Sequence, residues 1–167
     1  YCLLEDIRLQ GSAEQQAFFF GLVLQGYRFA NALSETGGKT VLDIRTRLET
    51  RGETLYINGR KGYCTGSLYA HWIGILALDA DDRAQLAFVP RDSAGLTVLD
   101  DWDCLGQRNT ASGTVLAENL VVAPFHLFPT WKSYATPTLA GPFAQLTTAA
   151  IDAGIARAAL NDTVTFV

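Results

Sequence analysis

Few stretches of this sequence hold residues of the types and spacing that chemistry requires. Asp100-Asp101-Trp102-Asp103 puts three carboxylates within four residues, and Asp79, Asp81 and Asp82 form a second acidic group. A hard cation needs six or more oxygens arranged by a defined loop. Neither spacing supplies that, so both read as solvated turns, the first with a packed tryptophan. His71 beside Trp72 reads as a strand or loop histidine, and His126, among apolar neighbours, as packing. Cys2, Cys64 and Cys104 are widely spaced, with no C-x-x-C and no finger-type pattern with the two histidines. They read as reduced thiols of a cytosolic protein, and Cys64, with no sequence neighbour to lower its pKa, as structural. No metal is expected. Neither a G-x-G-x-x-G nor a G-x-x-x-x-G-K-[ST] phosphate loop is present.

The 167 residues allow one domain, or one and a small part, and a chain of this size has room for a core. With 49% hydrophobic and 18% charged residues it is not a disordered chain. The 13 basic residues against 17 acidic ones give a net charge of −4, without the basic footprint of a nucleic-acid binder. Apolar runs such as 17–24 fall short of the ~20 residues that span a bilayer, and no basic-then-apolar segment opens the chain. Neither nucleic acid nor membrane is an expected partner. The chain opens at Tyr1, has no methionine and ends at Phe166-Val167 inside a helical pattern without a cap. A piece of a longer protein is therefore expected.

The positioning elements follow from periodicity. Ser12-Ala13-Glu14-Gln15 has capping-box form and predicts a helix over about 13–24, stopped by Gly26. Phe18, Phe19, Phe20, Leu22, Val23 and Leu24 make that helix apolar all round, so it should be buried. From Arg28 the period changes. Alternation over 41–49 predicts a strand, Arg51-Gly52-Glu53 a turn and 55–58 the second arm of a hairpin. Asn58-Gly59 reads as another turn, with 60–65 extended after it. Further strands are expected at 73–78, 85–89, 96–99, 113–116 and 120–122, with an acidic turn at 79–82. Short strands at this spacing suggest an antiparallel barrel or sandwich of six to eight strands. Prolines 124, 129, 137 and 142 punctuate a connection, and 143–167 is helical, rich in small residues and expected to pack in a bundle.

Three segments, in order, resemble the acyl-CoA dehydrogenase flavoprotein superfamily. The first is Asn31-Ala32-Leu33-Ser34-Glu35. The second is Leu55-Tyr56-Ile57-Asn58-Gly59-Arg60-Lys61-Gly62-Tyr63-Cys64-Thr65-Gly66. The third runs through Phe88-Val89-Pro90-Arg91-Asp92, Gly95-Leu96-Thr97-Val98 and Gly106-Gln107-Arg108-Asn109-Thr110-Ala111-Ser112-Gly113, and closes with Glu118-Asn119-Leu120-Val121-Val122-Ala123-Pro124. Thr36-Gly37-Gly38-Lys39-Thr40 departs from the dehydrogenase pattern, and Tyr63 stands where those enzymes carry tryptophan. Asn31 before Ala32-Leu33-Ser34-Glu35, Cys64-Thr65-Gly66 and Asp100-Asp101-Trp102 are similar instead to the monooxygenase branch that includes dibenzothiophene monooxygenase and the sulfur-acquisition oxidoreductases.

The resemblance implies an α+β fragment. Residues 1–26 would end a helical N-terminal domain and 27–126 form a β-barrel middle domain. Residues 127–167 would be a linker and the first helix of a C-terminal four-helix bundle, in a homotetrameric cytoplasmic enzyme. The implied activity takes reduced FMN from a separate flavin reductase and uses O2 to oxygenate a small organosulfur compound. The alternatives are an FAD-dependent acyl-CoA dehydrogenase, and a scaffold that is catalytically silent when isolated as this fragment. By the same resemblance Asn31, Leu33 and Ser34 line the flavin's pyrimidine side and Tyr63, Cys64 and Thr65 its other edge. Asn31, Thr65 and Trp102 are the implied catalytic residues, Trp102 as a wall of the substrate pocket. A flavin ring needs an apolar slot with a few fixed donors and acceptors, and Asn31, Ser34 and Thr65 are short polar groups of that kind. Arg108 is expected to hold the loop that follows it.

Overall fold

The computed structural model describes residues 2–40, 43–135 and 137–166, with the backbone alone at 2 and 140. The expected strand start at Val41 and Leu42 and the helix end at Val167 lie outside the described residues. Two helices, α1 (Cys2–Gln10) and α2 (Ala13–Leu24), precede eight strands: β1 (Phe29–Ala32), β2 (Arg47–Arg51), β3 (Thr54–Lys61), β4 (Trp72–Leu78), β5 (Ala84–Pro90), β6 (Leu96–Val98), β7 (Val115–Val122) and β8 (Leu127–Phe128). The short helix α3 (Trp131–Tyr134) and the 27-residue α4 (Ala140–Phe166) follow.

The strands form one mixed sheet in the order β6-β7-β3-β2-β4-β5-β8, with β1 also paired to β4. Both β1 and the start of β2 run parallel to β4, β1 along Trp72–Ile75 and β2 at Leu78. The expected antiparallel arrangement is thus corrected at two pairings, and the sheet is open. β1 and β2 lie beside the same strand and enter it in the same direction, which gives parallel rather than antiparallel pairing.

Side-chain alternation splits the core between the two faces of the sheet. Ala30, Ala32, Ile57, Ile73, Ile75, Ala87, Val89 and Leu120 fill one side. Phe19, Trp72, Leu86, Phe88 and Phe128 fill the other, with Ile7 of α1. β4 and β5 are buried on both faces, which is why 73–78 reads as an unbroken apolar run. The capping box of α2 forms as expected: Gln15 N–H donates to Ser12 Oγ, and Ser12 N–H to Gln15 Oε1. Burial of that helix is partial. Phe19 alone is fully buried, at the centre of the ring cluster, while Phe18 and Leu24 on other faces remain exposed. The sheet and α1 cover one side of α2 only.

Two irregularities stand where a turn and a break between strands were expected. Asn58-Gly59 is a bulge inside β3, which runs on to Lys61. Residues 113–116 and 120–122 are not two strands; β7 is continuous from Val115, with Asn119 in the left-handed region at φ 48°. The two features answer each other, because the Asn119 N–H donates to Asn58 Oδ1 at 2.7 Å. β2 begins only at Arg47. Before it the Arg45 and Thr46 amides are taken by the Glu35 carboxylate, and Asp43 binds the Lys39 and Thr40 amides, so 43–46 makes no regular ladder.

Candidate functional site

Alternation in β1 sends Ala30 and Ala32 into one core and turns Phe29, Asn31 and Leu33 to the other face. There Asn31 and Leu33 line a cavity of about 120 Å³ with Leu3 and Asp6 of α1, Leu76, Leu86, Thr130 and Tyr134. Leu33, Leu76 and Tyr134 also wall a neighbouring cavity of about 380 Å³, completed by Ser34, Ile44, Leu78 and Ala84. The Asn31 amide and the Ser34 hydroxyl have no hydrogen-bond partner among the described residues. Both are free to meet a ligand. Asp6 accepts from Thr130 Oγ1 (2.5 Å) and Ser133 Oγ (3.0 Å), and burial pushes its carboxyl upward despite them.

The segment after β1 is held from beneath by a buried ion pair. Lys61 Nζ donates to Glu35 Oε1 at 2.8 Å and to the Leu33 carbonyl at 3.2 Å, with side chains 1% and 7% exposed. Glu35 also accepts from the Thr46 N–H and hydroxyl and from the Arg45 N–H. Burial opposes the Glu35 charge, but Lys61 and these donors outweigh it and hold the carboxyl down to about 2. Burial lowers Lys61, and the Glu35 carboxylate opposes that shift.

One residue beyond Lys61, the Gly62 N–H donates to the Ser34 carbonyl at 3.0 Å and joins the first motif to the second. Tyr63 follows in the left-handed region at φ 56°, 62% exposed, with its ring edge-to-face with Trp102 at 6.1 Å. The Cys64 side chain turns into the sheet core, where burial pushes its thiol up to about 12. Thr65 is exposed. Its hydroxyl lies 2.9 Å from Ser112 Oγ, which is 2.7 Å from Thr110 Oγ1, which donates to the Gln107 carbonyl at 2.9 Å. Trp102 Nε1 donates to the same carbonyl at 3.0 Å. Bonds from Cys64 N–H to Gly113 O and from Gly66 N–H to Thr110 O fasten this third segment to the second.

The expected residues therefore form two groups: Asn31, Leu33 and Ser34 at the cavities, and Tyr63, Thr65 and Trp102 at the end of β3. The Gly62–Ser34 and Lys61–Leu33 bonds link them through the backbone. Arg108 reaches back to Asp103 at 3.5 Å instead of forward along the chain, and both side chains are exposed. His71 Nδ1 accepts the Arg28 N–H at 2.9 Å. His126 packs against Phe18, Phe19 and Trp72. Asp101 takes the Thr114 N–H, and Asp79 closes its turn by accepting from the Asp81 and Arg83 amides. Among the described residues no group of three His, Cys, Asp or Glu is placed to hold a metal ion.

Residue-type reasoning passed over Lys61, Glu35, Thr110 and Ser112 as working parts, although all four lie inside the quoted motifs. Asp6, Thr130 and Tyr134 carry no motif at all, and packing alone brings them to Asn31.

Residues 30–120 match the model of the acyl-CoA dehydrogenase middle domain. The chain belongs to the acyl-CoA dehydrogenase family. Within it, this family member is 29% identical over 168 residues to a dibenzothiophene monooxygenase from Rhodococcus erythropolis, an alignment covering 93% of this chain and 40% of that protein. It superimposes on FMN-bound TdsC from Paenibacillus sp. A11-2 with a TM-score of 0.69 and 33% identity, over 76% of this chain and 33% of the other. The methanesulfinate monooxygenase MsuC from Pseudomonas fluorescens gives a TM-score of 0.72 at 27% identity, over 88% and 38%. The chain thus spans about 40% of the length of the curated relatives it matches. No helix among the described residues is long and apolar enough to cross a membrane.

Proposed function

We propose that this chain is the flavin-holding part of a monooxygenase that uses reduced FMN and O2 to oxygenate a small organosulfur compound. The observation that carries the reading is the placement of Asn31, Leu33 and Ser34 at apolar cavities and of Tyr63 and Thr65 at the end of β3, the two groups joined by the Gly62–Ser34 and Lys61–Leu33 bonds, on a fold shared with FMN-bound TdsC. The residues present fit a flavin. Leu33, Leu76 and Tyr134 offer apolar surface, Asn31 and Ser34 offer unspent polar groups, and Thr65 an exposed hydroxyl, to the heteroatoms of a ring. The Cys64 side chain, turned into the sheet core, takes no part.

When bound, reduced flavin supplies the two electrons that send one oxygen atom of O2 to sulfur and the other to water. The protein's task is then to bind, orient and exclude. Asn31 and Ser34 fix the ring from the β1 side. Lys61 and Glu35 hold the Leu33–Ser34 backbone at the height those contacts need, while Tyr63 and Trp102 wall the approach of the substrate. Residues 1–26, 27–126 and 127–167 correspond to the end of a helical domain, a middle domain whose sheet closes as a barrel in the complete protein, and the start of a helical bundle. A separate flavin reductase, a homotetramer and a cytoplasmic location complete the proposal.

The test uses the protein expressed in full, with any sequence flanking these residues. It is loaded anaerobically with reduced FMN and mixed with oxygenated buffer containing a thioether, sulfinate or sulfone. Transfer of one atom of labelled oxygen to the sulfur compound or its cleavage product is expected. Reoxidation without such transfer, together with bleaching of the oxidised flavin by acyl-CoA thioesters, would establish the dehydrogenase reading instead. The 167 residues alone are expected to turn nothing over.

A further inference from the structure

A cleft of about 440 Å³ opens at the start of β4, between the connection from α2 to β1 and the end of β5. It shares no residue with the two cavities beside Leu33, which lie toward the other end of β4. Leu76, which lines both of those, is roughly 13 Å along the strand from Trp72. Tyr27, His71, Trp72, Pro90, Arg91 and Asp92 line the cleft, and its volume is that of a small-molecule site.

The backbone around it is fixed before any ligand arrives. The Arg28 carbonyl accepts from the His71 and Trp72 N–H groups at 2.9 and 3.1 Å, and the His71 carbonyl from the Arg91 N–H at 2.9 Å. Arg28 Nε donates to the Tyr69 carbonyl at 2.7 Å. The pairing of Trp72 with Pro90 puts His71 opposite Arg91. Directly opposite residues of an antiparallel pair turn their side chains to the same face.

Two donors on that face are unspent. His71 Nδ1 accepts the Arg28 N–H, so the neutral ring carries its proton on Nε2. That nitrogen has no hydrogen-bond partner among the described residues. The Arg91 guanidinium has neither an ion pair nor a hydrogen bond there, whereas Arg8, Arg47, Arg51 and Arg83 each hold a carboxylate. A guanidinium fork matches two oxygens borne on one atom. The Tyr27 ring packs 5.1 Å from the His71 ring at 58°, and Pro90 adds a second apolar surface. Asp92 brings a carboxylate to the same cleft, which opposes a ligand of more than one negative charge.

We propose that this cleft binds a small aromatic monoanion whose charge is shared by two oxygens on one atom, an aryl carboxylate or an aryl sulfinate. Arg91 and His71 Nε2–H take the oxygens, Tyr27 and Pro90 flank the ring, and Asp92 turns away sulfate and phosphate. The site does not depend on the flavin reading.

The measurement is calorimetric titration of the full protein, without flavin, with benzoate, benzenesulfinate, acetate and sulfate. At least one of the two aryl anions is expected to bind in the millimolar range or tighter, about tenfold ahead of acetate and sulfate. Which of them binds better names the head group. Arg91→Met, at an exposed side chain without partners, should leave the melting temperature within about 2 °C and weaken the aryl anion about tenfold. Tyr27→Leu should bring it down to the level of acetate, and Asp92→Asn should admit sulfate. Absence of aryl-anion binding, sulfate bound as tightly, or an affinity indifferent to Arg91→Met would each overturn the proposal. Binding at the cavities beside Leu33 would show itself as that indifference. Failure of the flavin reading leaves the titration unaffected, so the two stand or fall separately.

Discussion

The buried pair of Lys61 and Glu35 shows how a single contact supports a site without touching a ligand. A lysine that is 1% exposed can be held only by a carboxylate and a carbonyl, and here they are Glu35 and Leu33, on the segment that must face the cavity. Lys61→Met leaves Glu35 buried without its counter-charge. We expect a loss of about 3–5 kcal/mol of stability in urea denaturation. The pH dependence has a definite sign. Glu35 titrates near 4.5 when unfolded and at about 2 when folded, so its contribution is complete above pH 4.5 and is lost as the pH falls toward 2. That contribution is roughly 3 kcal/mol, and Glu35→Gln should remove this part of the acid unfolding profile. Asn31 belongs to a different class. It makes no side-chain hydrogen bond in the protein, so Asn31→Ala should leave the melting temperature unchanged within about 2 °C. FMN binding should weaken about tenfold in titration, the worth of one hydrogen bond to a ligand.

At the scale of elements, the facing irregularities of β3 and β7 determine where the strand ends point. The bulge at Asn58-Gly59 and the left-handed Asn119 keep β3 paired past the bend, so that Lys61, Gly62 and Tyr63 arrive beside β1. A methyl at Gly59 would overlap the Thr46 side chain, which itself bonds Glu35. Gly59→Ala is therefore expected to cost about 1–3 kcal/mol in denaturant unfolding. Gly106→Ala, where nothing lies within 4 Å, should stay within about 0.5 kcal/mol. The Asn-Gly dipeptide was legible in the sequence as an irregularity, but its kind was not. A turn and a bulge use the same residues, and the partner strand alone decides which forms.

At the scale of the molecule, stability is unevenly distributed. β4 is paired on both sides and buried on both faces, whereas α4 carries Leu146, Ile151, Ile155, Leu160 and Val164 exposed. Hydrogen exchange on the 167-residue chain should find β4 amides protected to the level of global unfolding, and α4 amides beyond its first turns exchanging orders of magnitude faster. Uniform protection across both would contradict this division. What the sequence by itself determined is local: the capped helix at 13–24, the hairpin at 51–54, the apolar runs and the three motifs. Each of these is written in neighbouring residues through caps, turns and periodicity. The tertiary structure alone decided that β1 and β2 run parallel to the same strand, that Lys61 finds Glu35 across 26 residues, that Cys64 faces inward, and that the Thr65, Ser112 and Thr110 hydroxyls meet in one line. Those contacts join residues far apart in sequence. Their energies depend on burial and on which donors are already spent, and neither exists until the sheet has formed.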